Sequence, residues 1–151
     1  MSERRFIGIW LMAAYFFAKA GVVSALATTV AHSPTDASGP LQTIRVLLPL
    51  VQRLNAGPTA SVVVALVLAA FGAVVGVCIL ARQKWAAVYV VVYHGFALIW
   101  FLLATLGLRV IGLDTFPEML SSPIFQFEVA SSLLMVGYLL QPRVMRSFGF
   151  S

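Results

Sequence analysis

Charge is scarce in this chain, and negative charge most of all. Five Asp and Glu stand against ten Lys and Arg in 151 residues, and charged side chains make up 10% of the total. A soluble domain carries about 25% charged residues, so an ordinary solvated surface is excluded. Cys78 is the single cysteine, which rules out an intrachain disulfide or a thiolate cluster. It lies in an apolar run and reads as a small packing residue. The two histidines, His32 and His94, lie far apart in sequence and have few acids to join them as metal ligands. The chain lacks a Ser-His-Asp set, an H-E-x-x-H helix and a phosphate-binding glycine loop. No catalytic residue, metal or cofactor is therefore expected, and the protein reads as non-enzymatic.

What is abundant is apolar surface: 61% of residues are hydrophobic and the mean hydropathy is +0.98. The chain reads as one integral membrane domain over residues 1–151. Its net charge of +5 comes from scattered basic residues with no nucleic-acid motif among them, so the lipid bilayer is the expected partner and nucleic acid is not. A spanning helix needs about 20 mainly apolar residues. Four segments meet this, over residues 6–31, 59–81, 85–108 and 123–141. The predicted fold is all-α, a four-transmembrane-helix bundle running up-down-up-down. Arg82, Gln83 and Lys84 alone separate the second and third spans, which implies a tight antiparallel hairpin.

The beginning, MSERRFIGIWLMAAYFF, has the basic start of a secretory signal, and SALATT offers small residues for cleavage. The apolar stretch is too long for that reading, and Lys19 interrupts it, so it is taken as a true span. Arg4, Arg5, Arg82, Lys84, Arg143 and Arg146 then share one side, against Arg45, Arg53 and Arg109 on the other. Six against three places both termini in the cytoplasm of a cell whose inner (plasma) membrane holds the protein. In the first outer loop, LQTIRVLLPLVQRLN (residues 41–55) has Leu41, Ile44, Leu48 and Val51 at helical spacing. This predicts a short amphipathic segment, with Pro40 in its first turn and Pro49 breaking or kinking it. It lies either on the membrane surface or on the top of the bundle. The second outer loop carries Asp114 and Glu118 and reads as a short surface turn.

Lys19 and Glu128 are the ionisable base and acid set well inside these spans. At 1.5 Å per residue, Lys19 lies roughly 20 Å above the inner end of the first span. Glu128, entering from the outer side, lies about 22 Å above it in a ~30 Å core. Intramembrane charges face the bundle and pair with one another, so the sequence predicts a Lys19–Glu128 ion pair or hydrogen bond. Tyr15 is one turn before Lys19, and His94 lies at roughly 13 Å. Ser131 and Ser132 follow Glu128 by three and four residues, so one of them shares its face. Together these residues describe a buried polar site. The bland reading is a pair that fixes helix register; the sharper one is a route for protons or a small solute. Snorkelling of Lys19 to the interface is a third.

Several specific chemistries fail on spacing. A bis-histidine haem would need His32 and His94 at one depth, and they differ by more than ~10 Å. Four spans hardly enclose a retinal on Lys19. In the second span, Ala65, Ala69 and Ala73, with Gly72 and Gly76, form a small-residue stripe for close helix packing, either within the chain or in a homo-oligomer. Trp10, Trp85, Tyr89 and Tyr138 suit the interfaces and Trp100 the bundle. The tail leaves the last span at Pro142, with Phe148 and Phe150 able to dip into the headgroups.

AKAGVV in the first span, GVCILARQKWAAVYVVVYHG across the hairpin and YLLQPRV near the end resemble uncharacterised small four-span bacterial inner-membrane proteins. Those proteins carry Lys-Gly in the first helix, where this chain places Ala20 between Lys19 and Gly21. The resemblance covers about half the chain and implies a bacterial origin without an activity. The four-span glutathione-transferase and leukotriene-synthase enzymes match in size, but their Arg- and Asn-containing signature is missing from ASVVVALVLAAFGAVVGVCIL. The expected function is an accessory or assembly component of the membrane, or a self-associating bundle. A small solute carrier or proton-coupled pathway through Glu128, Lys19 and His94 is the alternative.

Overall fold

The computed structural model describes residues 7–32, 38–47, 58–105 and 123–150. Among them the chain forms α1 (Ile7–His32), α2 (Ser38–Leu47), α3 (Pro58–Leu80), α4 (Lys84–Thr105), α5 (Pro123–Leu139) and α6 (Pro142–Ser147), with no strand. With almost no polar side chains to satisfy the backbone, its N–H and C=O groups must satisfy one another, and a helix does this within one segment. By length and composition, Ile7–His32 and Thr59–Leu80 are long and apolar enough to cross a membrane. Lys84–Ile99 and Pro123–Leu139 are shorter apolar helices, so two of the four predicted spans qualify outright among the described residues. The helices divide into two units, Met1–Leu80 and Ala81–Ser151.

In the first unit α1 packs along α3, and α2 lies against α1. Val23, Ala27 and Val30 of α1 meet Val62, Ala65 and Ala69 of α3, and the fully buried Ile44 of α2 closes the cluster. Leu41 packs against the same cluster. The amphipathic segment therefore lays its apolar residues on the protein, with Pro40 in the first turn of the helix. Its continuation through Pro49 to Asn55 lies outside the described residues, as do Arg4, Arg5, Arg109, Asp114 and Glu118.

The small-residue stripe sets how closely α3 approaches α1. Ala65 and Ala69 are buried, and Ala73 is half-buried. A Cβ at Gly76 would sit 3.3 Å from Phe16 Cβ and 3.3 Å from the Phe17 ring, whereas at Gly72 the nearest atom is Phe16 Cδ1 at 4.0 Å. The G-x-x-x-G stretch thus faces two phenylalanines of the same chain. Phe16 meets the Gly76 end of α3 while Val30 shares a cluster with Val62, so α1 and α3 run antiparallel.

In the second unit α4 packs along α5. The Phe101 and Phe125 rings lie 5.7 Å apart, His94 bonds Ser132, and Ala87 and Leu139 line one cleft. Each step of seven residues back along α4 matches seven forward along α5. That is the spacing of an antiparallel pair with a heptad seam. Pro142 lacks an N–H and disfavours helix at Gln141, which is extended (φ −64°, ψ 128°), so α5 stops and α6 begins.

At the end of α6, Gly149 N–H donates to Arg146 O and Phe150 N–H to Met145 O, which makes a Schellman cap around Gly149 at φ +80°. This corrects the expectation for the tail. Phe148 is buried in the protein instead of dipping into headgroups, and Phe150 lines the same cleft.

Both units are apolar outside. Trp10 is 64% exposed, Val67 62% and Leu134 74%.

The two glycines of one motif predict opposite outcomes. Gly72→Ala meets only ordinary van der Waals contact and raises helix propensity, so it stabilises by up to about 1 kcal/mol. Gly76→Ala pushes against Phe16 Cβ, which cannot rotate away, and destabilises by about 1–3 kcal/mol. Thermal unfolding of both variants in detergent checks the sign. At Gly149 a Cβ would lie 2.8 Å from Lys84 Cε on a left-handed backbone. Gly149→Ala is therefore expected to cost about 1–2 kcal/mol in the same measurement.

Candidate functional site

The polar side chains of the apolar helices are few, and each unit gathers its own. Near the end of α1, Thr28 Oγ1 and Thr29 Oγ1 both donate to Ala25 O at 2.7 and 3.0 Å, and His32 Nδ1 donates to Thr28 O at 2.8 Å. These groups bond carbonyls of their own helix, so His32 stays with the last turns of α1.

Deeper in α1, Lys19 is half-buried. Side chains on a helix lean toward its N-terminus, and Lys19 Nζ reaches back one turn to donate to Tyr15 Oη at 3.2 Å. The same ammonium lies 5.5 Å from the Tyr15 ring centroid, where the ring face attracts a cation. Tyr15 in turn meets Phe16 edge-on at 5.5 Å. Tyr15 supplies an oxygen and a π-face to the Lys19 ammonium.

In the second unit the seam of α4 and α5 holds His94 and Ser132, 1% and 3% exposed. His94 Nδ1 and Ser132 Oγ are 2.7 Å apart. Tyr93 packs edge-on against His94 at 5.2 Å and stacks on Tyr89 at 5.6 Å. Glu128 is half-buried one turn before Ser132, on the same face of α5. Ser131 turns back on its own helix and donates to Phe127 O at 2.7 Å. Of the two serines after Glu128, Ser132 is the one in the seam.

Lys19 and Tyr15 are brought together in one unit, His94 and Ser132 in the other. The sequence reading sets His94 beside Tyr15 in depth and does not join it to Ser132. The signal was there in the rise of the helix. Lys84 to His94 and Leu139 to Ser132 are about 15 and 10 Å, so the two side chains lie within a turn of each other in depth.

No family model matches the chain, and neither does any curated protein or solved structure. Chemistry must then be judged from geometry. A Ser–His pair at 2.7 Å has the separation of a nucleophile and its base, but both side chains are buried in a helix seam, and the hydroxyl has no open approach for a carbonyl. Among the described residues no cluster of three His, Cys, Asp or Glu side chains is placed to hold a metal. Cys78 is half-buried and free. What the pair does well is join two apolar helices by one interhelical hydrogen bond, the usual work of Ser and His between membrane helices.

Ser132→Ala removes the hydroxyl and that bond without adding bulk to the seam. It should lower stability by about 0.6–2 kcal/mol. Ser131→Ala, which loses only a bond to its own helix, should stay within about 0.5 kcal/mol of wild type. Unfolding both variants by detergent titration separates a seam bond from a local one.

Proposed function

We propose that this chain is a multi-pass protein of a bacterial inner membrane, with a structural and non-enzymatic role as an accessory or assembly component. The observation that carries this reading is the inverted surface of both units. Large apolar side chains such as Trp10, Leu11, Val67, Phe96 and Leu134 face outward, while His94 and Ser132 are buried. Contiguous exposed apolar surface on this scale marks a lipid or protein neighbour.

On this reading α1, α3, α4 and α5 are four spans of one bundle. The helices α4 and α5 have 22 and 17 residues, within the range of about 17–25 that crosses a hydrocarbon core. The 26 residues of α1 exceed it, which tilt or extension into the headgroups accommodates. Six basic residues against three put both termini on the cytoplasmic side. Lys19 and Glu128 pair across the bundle and fix its register, with Tyr15 holding the ammonium beside them. Because Phe16 and Phe17 cover the Gly76 face of α3, self-association uses the outward apolar faces such as Val63, Val67 and Val74.

A proton-coupled pathway is the second reading. Glu128 lies one turn from the buried His94–Ser132 bond, which favours it, since acid–histidine chains carry protons in membrane helices.

One set of variants decides between them: Lys19→Met, Glu128→Gln and the double change, assayed for thermal unfolding and for proton flux in liposomes. The structural reading expects each single change to cost about 3–5 kcal/mol. It also expects the double change to recover at least half of that loss, and flux to be absent throughout. Folding that survives both changes, with loss of a wild-type flux, would replace it by the pathway.

A further inference from the structure

Where α4 begins and α5 ends, the second unit opens an apolar cleft of about 140 Å³. Val88 and Val92 of α4 form one wall, Leu140 lies at the end of α5, and Met145, Phe148 and Phe150 come from α6 and its cap. Its walls carry almost no polar surface. An enclosed apolar cavity of about 150 Å³ takes one benzene molecule, so this cleft suits a hydrocarbon segment of about six carbons and is too small for a helix. Along α4 it runs from Ala87 to Val92, which is about 8 Å of helix rise. On the membrane reading it lies within the outer part of one leaflet.

Lys84 stands at a wall of the cleft, and α6 carries two further cations. Lys84 Cε lies against Gly149, and its Nζ is 5.9 Å from the centroid of the Phe150 ring, so the ammonium is held over a wall of the cleft. Arg143 and Arg146 flank Met145 on α6, and both are exposed. The segments that build the cleft, residues 81–105 and 129–150, contain no Asp or Glu. Cation above and hydrocarbon slot below match one chemistry: an anion joined to an alkyl chain.

We propose that this cleft binds one anionic phospholipid, with an acyl chain beside Val88 and Val92 and the phosphate against Lys84, Arg143 and Arg146. Free phosphate would have no use for the slot, and a zwitterionic lipid would leave the three cations without net counter-charge. Basic pockets at the cytoplasmic ends of membrane helices take anionic headgroups by the same attraction. The proposal rests on the membrane reading above.

The test uses the full chain in detergent with dioleoyl phosphatidylglycerol, dioleoyl phosphatidylcholine or inorganic phosphate, read by native mass spectrometry and by unfolding temperature. Phosphatidylglycerol is expected to bind one to one, at least tenfold more tightly than phosphatidylcholine, and to raise the unfolding temperature, while phosphate does neither. Replacing Lys84, Arg143 and Arg146 together by Gln should bring the two lipids within twofold. Val88→Trp, or Val92→Trp should the first fail to fold, should weaken phosphatidylglycerol at least fivefold with all charges intact; both side chains are exposed enough to take the indole without overpacking. Equal binding of the two lipids, reproduction of the effect by phosphate, or a folded Trp variant that binds like wild type would each overturn the site. Alkaline extraction of cell membranes tests the underlying reading separately. Release of the protein defeats that reading, whereas retention with equal lipid binding defeats this site alone.

Discussion

Among the described helices polar side chains are few, so the backbone and the buried polar groups must find their partners within the protein. The backbone meets that demand by coiling, and the described residues outside turns are helical. The side chains meet it locally where they can: Thr28, Thr29, Thr43 and Ser131 bond carbonyls of their own helices. Lys19 meets it through Tyr15, one turn away. His94 and Ser132 join α4 to α5 through a side-chain hydrogen bond. That economy shapes both units, since a helix with nothing polar to offer is held by fit.

Fit is achieved differently in the two seams. The α1–α3 seam relies on small side chains, with Ala65 and Ala69 in the cluster of Val23, Ala27 and Val30, and Gly76 letting the backbone approach Phe16 and Phe17. On the proposed membrane reading there is little hydrophobic drive between helices, and close van der Waals contact carries the association. The α4–α5 seam uses larger side chains in heptad steps, aromatic at one end and aliphatic at the other, with the His94–Ser132 bond at its centre. A hydrogen bond adds what packing lacks, namely direction: a slip of one residue along the seam would break it while leaving much of the apolar contact.

The short α6 shows how a break in a helix creates a feature. Pro142 ends α5, and the Schellman cap at Gly149 turns Phe150 back beside Met145. Without that reversal Phe150 would continue away from the helix end. With it Phe148 and Phe150 wall a cleft beside Lys84.

Much of this was legible in the residues themselves. Composition decides helix over strand, since a chain this apolar must satisfy its backbone segment by segment, and the ends of α1, α3 and α5 fall within a residue or two of the predicted limits. Pro142 marks its break because proline has no N–H to give. Lys19 stands out as a polar site because charge is so rare around it. Tertiary structure alone decided the partners. Ser132, and not Ser131, lies in the seam because of how α5 is rotated against α4, and a rotation of one residue, about 100°, is not written in either serine. The two glycines of one motif differ because the α1 side chains reach them at different distances. The tail returns to the protein because a left-handed Gly149 turns it there. A single sequence carries the period of each helix; which face meets which neighbour is settled only by the fit of all of them together.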